Sequence, residues 1–307
     1  MKRGILLGLF TLLVLLFVIV LLQGRDDFIT FYIAGLKVLH GQANTLYRVD
    51  SYPRGIPFVR PAWQALLFVP FSLLSYKAAF YAWTAVSLVL FGLSVWFMKD
   101  ELREIFLEQA NVFRRLAILA LLIPAGKTLV LGQDTAVFLL LLVMALRASK
   151  ENRDVQAGIW FGLASIDLHL IVLALLLALF RGRFRMILAV AATGTCLLLL
   201  SFAVGGSGWI AACLHSQANS STFVGIDTLR YALTLCGLNN LAILGILSIG
   251  IILSFRLVWK LPFENGAAWL VVASVFFAWH AFGYDYVAAL PAFAQTRNDS
   301  SYAEHSG

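Results

Sequence analysis

Four short polar stretches between apolar runs each carry a carboxylate: Asp26-Asp27, Gly132-Gln133-Asp134, Asp167-Leu168-His169 and His280-Ala281-Phe282-Gly283-Tyr284-Asp285. A carboxylate set in a cavity can act as general base toward a hydroxyl. Basic side chains such as Arg25, Arg60 and Lys127 can hold a phosphate. The combination suits transfer of a group from a lipid phosphate to an alcohol. Each residue also has a plainer reading. Asp26-Asp27, Asp134 and Asp167 stand where helix N-caps belong. His169 and His280 could be hydrogen-bonded interior histidines, and Arg60 before Pro61 could anchor in lipid headgroups. The spacing of Asp167 and His169 lacks further metal ligands, and Cys196, Cys213 and Cys236 are far apart. Neither a serine-hydrolase elbow nor a phosphate-binding glycine loop is present. The expectation is therefore no metal and no cofactor.

The elements that would carry these residues are membrane helices. Of 307 residues, 61% are hydrophobic and only 13% charged, with a mean hydropathy of +0.87. Soluble domains carry roughly a quarter charged residues, so the surplus apolar surface must meet lipid. The reading is an all-α polytopic bundle of about ten membrane segments. The net charge of +7 fits basic residues gathered in cytoplasmic loops, and nothing points to a nucleic-acid partner.

Lys2 and Arg3 place the N-terminus in the cytoplasm, before a retained first helix over residues 5–22. An external stretch to Arg60 follows, in which residues 28–39 have the periodicity of an interfacial amphipathic helix. Residues 61–74 read as a half-depth segment and 78–98 as a full span. Residues 116–131 lead out and 135–146 back; 155–166 lead out and 168–180 back. Several of these runs are too short for the ~20 residues a bilayer requires, so their polar turns should sit at or below the outer surface. Residues 186–204, 238–257, 267–280 and 286–293 complete the count. Arg103, Arg114 and Arg115, then Arg147, Lys150 and Arg153, then Arg181, Arg183 and Arg185, all fall at inward turns. The carboxylates fall at outward ones. Residues 1–294 read as a single transmembrane domain and 295–307 as a polar tail.

The run Asp27-Phe28-Ile29-Thr30-Phe31-Tyr32-Ile33-Ala34-Gly35, with Leu39-His40-Gly41-Gln42 and Leu46-Tyr47, resembles the first external loop of glycosyltransferase family 87. Similar correspondences are Phe58-Val59-Arg60-Pro61-Ala62-Trp63, the Gly132-Gln133 turn, Gly162-Leu163-Ala164, and His280 with Tyr284-Asp285. The resemblance implies a GT-C membrane enzyme that transfers mannose or a related hexose from a polyprenyl-phosphate donor to a lipid or glycan acceptor. It implies an integral protein of a bacterial inner membrane, with its site outside and membrane lipids around it. By the same resemblance Asp27 is the general base, acting with inversion. Asp26, Tyr32, Arg60, Lys127, Gln133, Asp134, His169, His280, Tyr284 and Asp285 form the substrate-binding set. The chain departs from the family where Ile166-Asp167-Leu168-His169 replaces a common Lys-Pro pair. Two other readings stay open: a non-catalytic membrane subunit with a protein partner, and a lipid-carrier transporter.

Overall fold

A computed structural model describes residues 27–53, 57–107, 112–219, 228–278 and 281–295. Among the described residues it is helical throughout, without a strand. The helices, in chain order, are α1 (Phe28–Leu39), α2 (Val69–Ser72), α3 (Tyr76–Phe97), α4 (Lys99–Leu107), α5 (Val112–Ala120), α6 (Leu122–Leu131) and α7 (Thr135–Lys150). They continue as α8 (Asp154–Leu163), α9 (Leu168–Phe180), α10 (Phe184–Gly205), α11 (Trp209–Asn219), α12 (Leu229–Leu235), α13 (Asn240–Val258), α14 (Phe263–Phe277) and α15 (Leu290–Gln295). Two compact units result. One is drawn from Met1–Val89, Ala125–Asp134 and Leu200–Ser220, the other from Leu90–Pro124, Thr135–Leu199 and Ser221–Gly307. The first helix expected over 5–22, the C-terminal tail, and Arg25, Asp26 and His280 lie outside the described residues.

In the first unit the helical periodicity of 28–39 appears as α1, whose buried face is Phe28, Thr30, Phe31, Ala34, Gly35 and Lys37. That face meets aromatic side chains. Phe28 is fully buried among Phe68, Tyr76 and Phe80, and Phe31 stacks on Phe68 at 4.7 Å. Gly35 permits the close approach, since a Cβ there would lie 2.3 Å from the Ser72 hydroxyl. Ser72 donates locally, with Phe68 and Tyr32 carbonyls at 2.9 and 3.0 Å. The 61–74 segment is a 3-10 turn, Ala62–Phe68, running into α2, so its short apolar run packs under α1. Lys37 fastens the following loop: its ammonium donates to the Thr45 carbonyl at 2.7 Å and lies over the Tyr52 ring. Burial pushes Lys37 down to about 8, partly offset by the charge of Asp50.

In the second unit α7 packs on α8, and α9 on α14. Four helical stretches are long and apolar enough to cross a membrane: Tyr76–Phe97, Asp154–Phe180, Phe184–Gly205 and Asn240–Val258. The remaining apolar helices are shorter, as expected for a bundle with half-depth elements. Asp154–Phe180 is unlike the other three. Twenty-seven residues of straight helix would extend about 40 Å. Yet Arg183, just past its end, pairs with Asp154 at its start at 3.3 Å. The stretch therefore folds back, and the reversal is the 3-10 turn Ala164–Asp167, where Asp167 leaves helical geometry (φ −126°, ψ 67°). Close packing continues this zigzag. A Cβ on Gly158 would strike the Met186 carbonyl, and one on Gly162 would strike Thr193, so α8 and α10 run in the same direction. The hairpin expected from 155–166 and 168–180 is present. Its arms, at roughly 15 and 20 Å, are shorter than a ~30 Å hydrocarbon core.

Basic residues collect at one end of this unit. Lys150 pairs with Glu101 at 3.0 Å, and Arg147 lies over Phe97. Arg181 donates to the Val258 and Trp259 carbonyls at the end of α13, and Arg183 lies over Phe263. Arg114 likewise donates to the Phe293 and Ala294 carbonyls. Away from this end α10 and α13 present broad apolar faces, including Leu188, Leu199, Ile249 and Ile252. Such continuous exposed apolar surface is what lipid covers.

Candidate functional site

The polar groups of the first unit converge on the Gly132-Gln133-Asp134 turn between α6 and α7. Asp27 precedes α1 but does not cap it through its side chain. Instead its Oδ2 accepts a 2.7 Å hydrogen bond from Gln133 Nε2, across 106 positions of sequence. One residue further, Asp134 is fully buried and its Oδ1 faces the Arg60 guanidinium at 3.4 Å. Removing one partner from such a pair leaves an uncompensated buried charge, typically at ~3–5 kcal/mol.

The turn is held from several sides. Gly132 has φ +70°, in the left-handed region that favours glycine, and a Cβ there would come within 2.7 Å of the Phe28 Cβ. The Trp83 indole N–H donates to the Gly132 carbonyl at 3.0 Å, and the Gln133 backbone N–H to the Thr128 carbonyl at 2.9 Å. Phe28 thus packs against Gly132 while its neighbour Asp27 meets Gln133. Aromatic packing sets the position of the carboxylate.

The backbone before Pro61 is held from α11 and the first loop. Tyr47 donates to the Arg60 carbonyl at 3.0 Å, and Gln217 donates to the Val59 carbonyl at 2.9 Å. The Cys213 thiol also points at the Arg60 carbonyl, at 3.9 Å. Burial raises the Tyr47 phenol far above its ordinary value and pushes the Cys213 thiol up to about 11. Both stay protonated at neutral pH and serve as donors.

The other expected site residues make the following contacts. Tyr32 donates its hydroxyl to the Leu74 carbonyl at 2.9 Å, with its ring against Phe28 and Tyr76. Lys127 is exposed on α6. In the second unit Asp167 is buried at the tip of the α8–α9 hairpin, without capping α9 through its side chain, whereas His169 is exposed. Asp285 accepts from the Phe282 backbone N–H at 2.8 Å and so closes its own turn. Tyr284 is buried, stacked on Phe282. Among the described residues no three His, Cys, Asp or Glu side chains are grouped to hold a metal ion.

The family model described as glycosyltransferase family 87 matches residues 58–296. The chain belongs to glycosyltransferase family 87. Comparison with curated proteins and with solved structures gives no match. Family membership and the apolar helices together make this an integral membrane glycosyltransferase. Within the family match lie Arg60, Gln133, Asp134, Asp167, Tyr284 and Asp285; Asp27 precedes it.

Sequence reasoning about this family-87 chain missed Trp83, Thr128 and Gln217, which with Tyr47 hold the backbone beneath the candidate site. Only Trp83 left a trace: an indole inside an apolar run needs a hydrogen-bond partner when buried. The others act through backbone carbonyls and have no spacing signature.

Proposed function

We propose that this glycosyltransferase moves a hexose, mannose first among them, from a polyprenyl-phosphate donor to a hydroxyl acceptor at the extracytoplasmic face. The observation that carries the proposal is the Asp27 carboxylate held by Gln133 beside the Arg60–Asp134 pair. In this reading Asp27 takes the proton of the acceptor hydroxyl as that oxygen attacks the anomeric carbon. The bond from that carbon to the phosphate oxygen breaks, and the polyprenyl phosphate departs with the electron pair. Attack opposite the leaving group inverts the sugar carbon. Arg60 would supply the donor phosphate with a guanidinium already fixed in direction by Asp134. In this reading it takes the part of the Lys-Pro lysine, which the chain replaces with Asp167-Leu168-His169.

The sidedness follows from charge. Glu101, Arg147, Lys150, Arg153, Arg181 and Arg183 cluster at one end of the second unit, and Lys/Arg-rich ends face the cytoplasm. In this reading the carboxylate turns, which alternate with the basic loops along the sequence, face the outer side of a bacterial inner membrane.

The test is transfer from radiolabelled polyprenyl-phosphate mannose into membrane-extract acceptors by full-length protein. Asp27→Asn should lower turnover by about 100-fold or more. Wild-type turnover by Asp27→Asn would sink the assignment of the base.

A further inference from the structure

We infer that Gln133 is a positioning residue that orients the Asp27 carboxylate for proton abstraction; the inference rests on the proposed role of Asp27. An ionised carboxylate only accepts hydrogen bonds, so the Gln133 amide must present its nitrogen, as the 2.7 Å contact has it. Gln133 is buried, at 4% exposure, and therefore is not a surface amide that happens to reach inward. Its main chain is fixed by the Thr128 carbonyl, and the preceding residue by the Trp83 indole and the packing of Phe28. Donor and acceptor are thus both attached to one rigid aromatic contact, Phe28 on Gly132.

The turn carries two adjacent polar contacts: Arg60 pairs with Asp134, and the Gln133 amide donates to Asp27. An amide fixes the direction of the carboxylate without adding a charge of its own. Asp134 keeps Arg60 in place and engaged; Gln133 keeps Asp27 aimed. The positioning assignment concerns Gln133 alone.

The experiment uses full-length protein in membranes with polyprenyl-phosphate [14C]mannose, comparing Gln133→Ala, Gln133→Asn, Gln133→Glu and Asp27→Asn over pH. The expected result is a kcat about 10- to 100-fold lower for Gln133→Ala and Gln133→Asn, with the donor KM within about twofold of wild type. Gln133→Glu, nearly isosteric, should move the acidic limb of the pH–rate profile upward by about one unit or more, because two carboxyls then share a proton. A glutamine out of contact with the base would not shift that limb, and the loss of kcat at unchanged donor KM separates positioning from mere contact. If Asp27→Asn is inactive while Gln133→Ala and Gln133→Glu keep wild-type kcat and pH profile, the positioning role is overturned and the base stands. If Asp27→Asn transfers sugar like wild type, or wild type transfers none, both fall together. Should Gln133→Ala unfold by tryptophan fluorescence, the kcat and donor KM of Gln133→Asn decide the matter, wild-type values overturning the positioning role.

Discussion

Gly132→Ala tests whether the turn under the candidate site is built as described. Gly132 has φ +70°, and an alanine in the left-handed region costs about 1–2 kcal/mol. The added Cβ would also sit 2.7 Å from the Phe28 Cβ and 3.1 Å from its Cγ. Phe28 has little room to retreat, being fully buried among Phe68, Tyr76 and Phe80. Overpacking of this kind costs about 1–3 kcal/mol. The sum is about 2–5 kcal/mol. An internal control exists in Gly41, which has nearly the same φ, +69°, but nothing within 4 Å of its Cβ position. Gly41→Ala therefore carries the backbone cost alone. Thermal unfolding of the detergent-solubilised protein, followed by tryptophan fluorescence, reads both. At about 2–4 °C per kcal/mol, Gly132→Ala should melt below Gly41→Ala by roughly 2–12 °C. It should also lose sugar-transfer turnover, since Gln133 and Asp134 move with the turn. Equal melting of the two variants would refute the packing of Phe28 on Gly132.

The α8–α9 hairpin places Asp154 and Arg183 at the same end, so Asp154→Cys and Arg183→Cys should react with a membrane-impermeant thiol reagent from the same side of sealed vesicles. Labelling from opposite sides would mean a single straight span over Asp154–Phe180. Lys37 titrates at about 8 when folded, against 10.5 for the free side chain, chiefly through burial. Between those values the unfolded chain holds more protons, so the stability Lys37 contributes rises as pH increases through that window. The melting difference between wild type and Lys37→Met should accordingly shift in favour of wild type from pH 7 to pH 10. A constant difference would show that burial does not perturb this lysine.

The membrane class was written into composition. An apolar excess with few charges has no other solvent than lipid, and helices are how lipid-exposed backbone is satisfied when no closed barrel is signalled. Periodicity gave α1, and the short apolar runs on either side of Asp167 gave the hairpin, because runs too short to span must turn within the membrane. Individual residues Asp27, Arg60, Gln133 and Asp134 were also legible, since polar groups stand out against an apolar chain.

Their partnerships were not legible. Asp27 stands where a cap belongs, and local sequence offers no ground for preferring Gln133, 106 residues away, over a backbone N–H. Tertiary packing decided it: Phe28 fills the space above Gly132, and that contact carries Asp27 to Gln133. Asp285 accepts from a backbone N–H three residues before it, a contact within its own turn. A sequence specifies which groups lipid will not solvate. Only the fold specifies which of those groups meet, because the meeting depends on how side chains between them fill space.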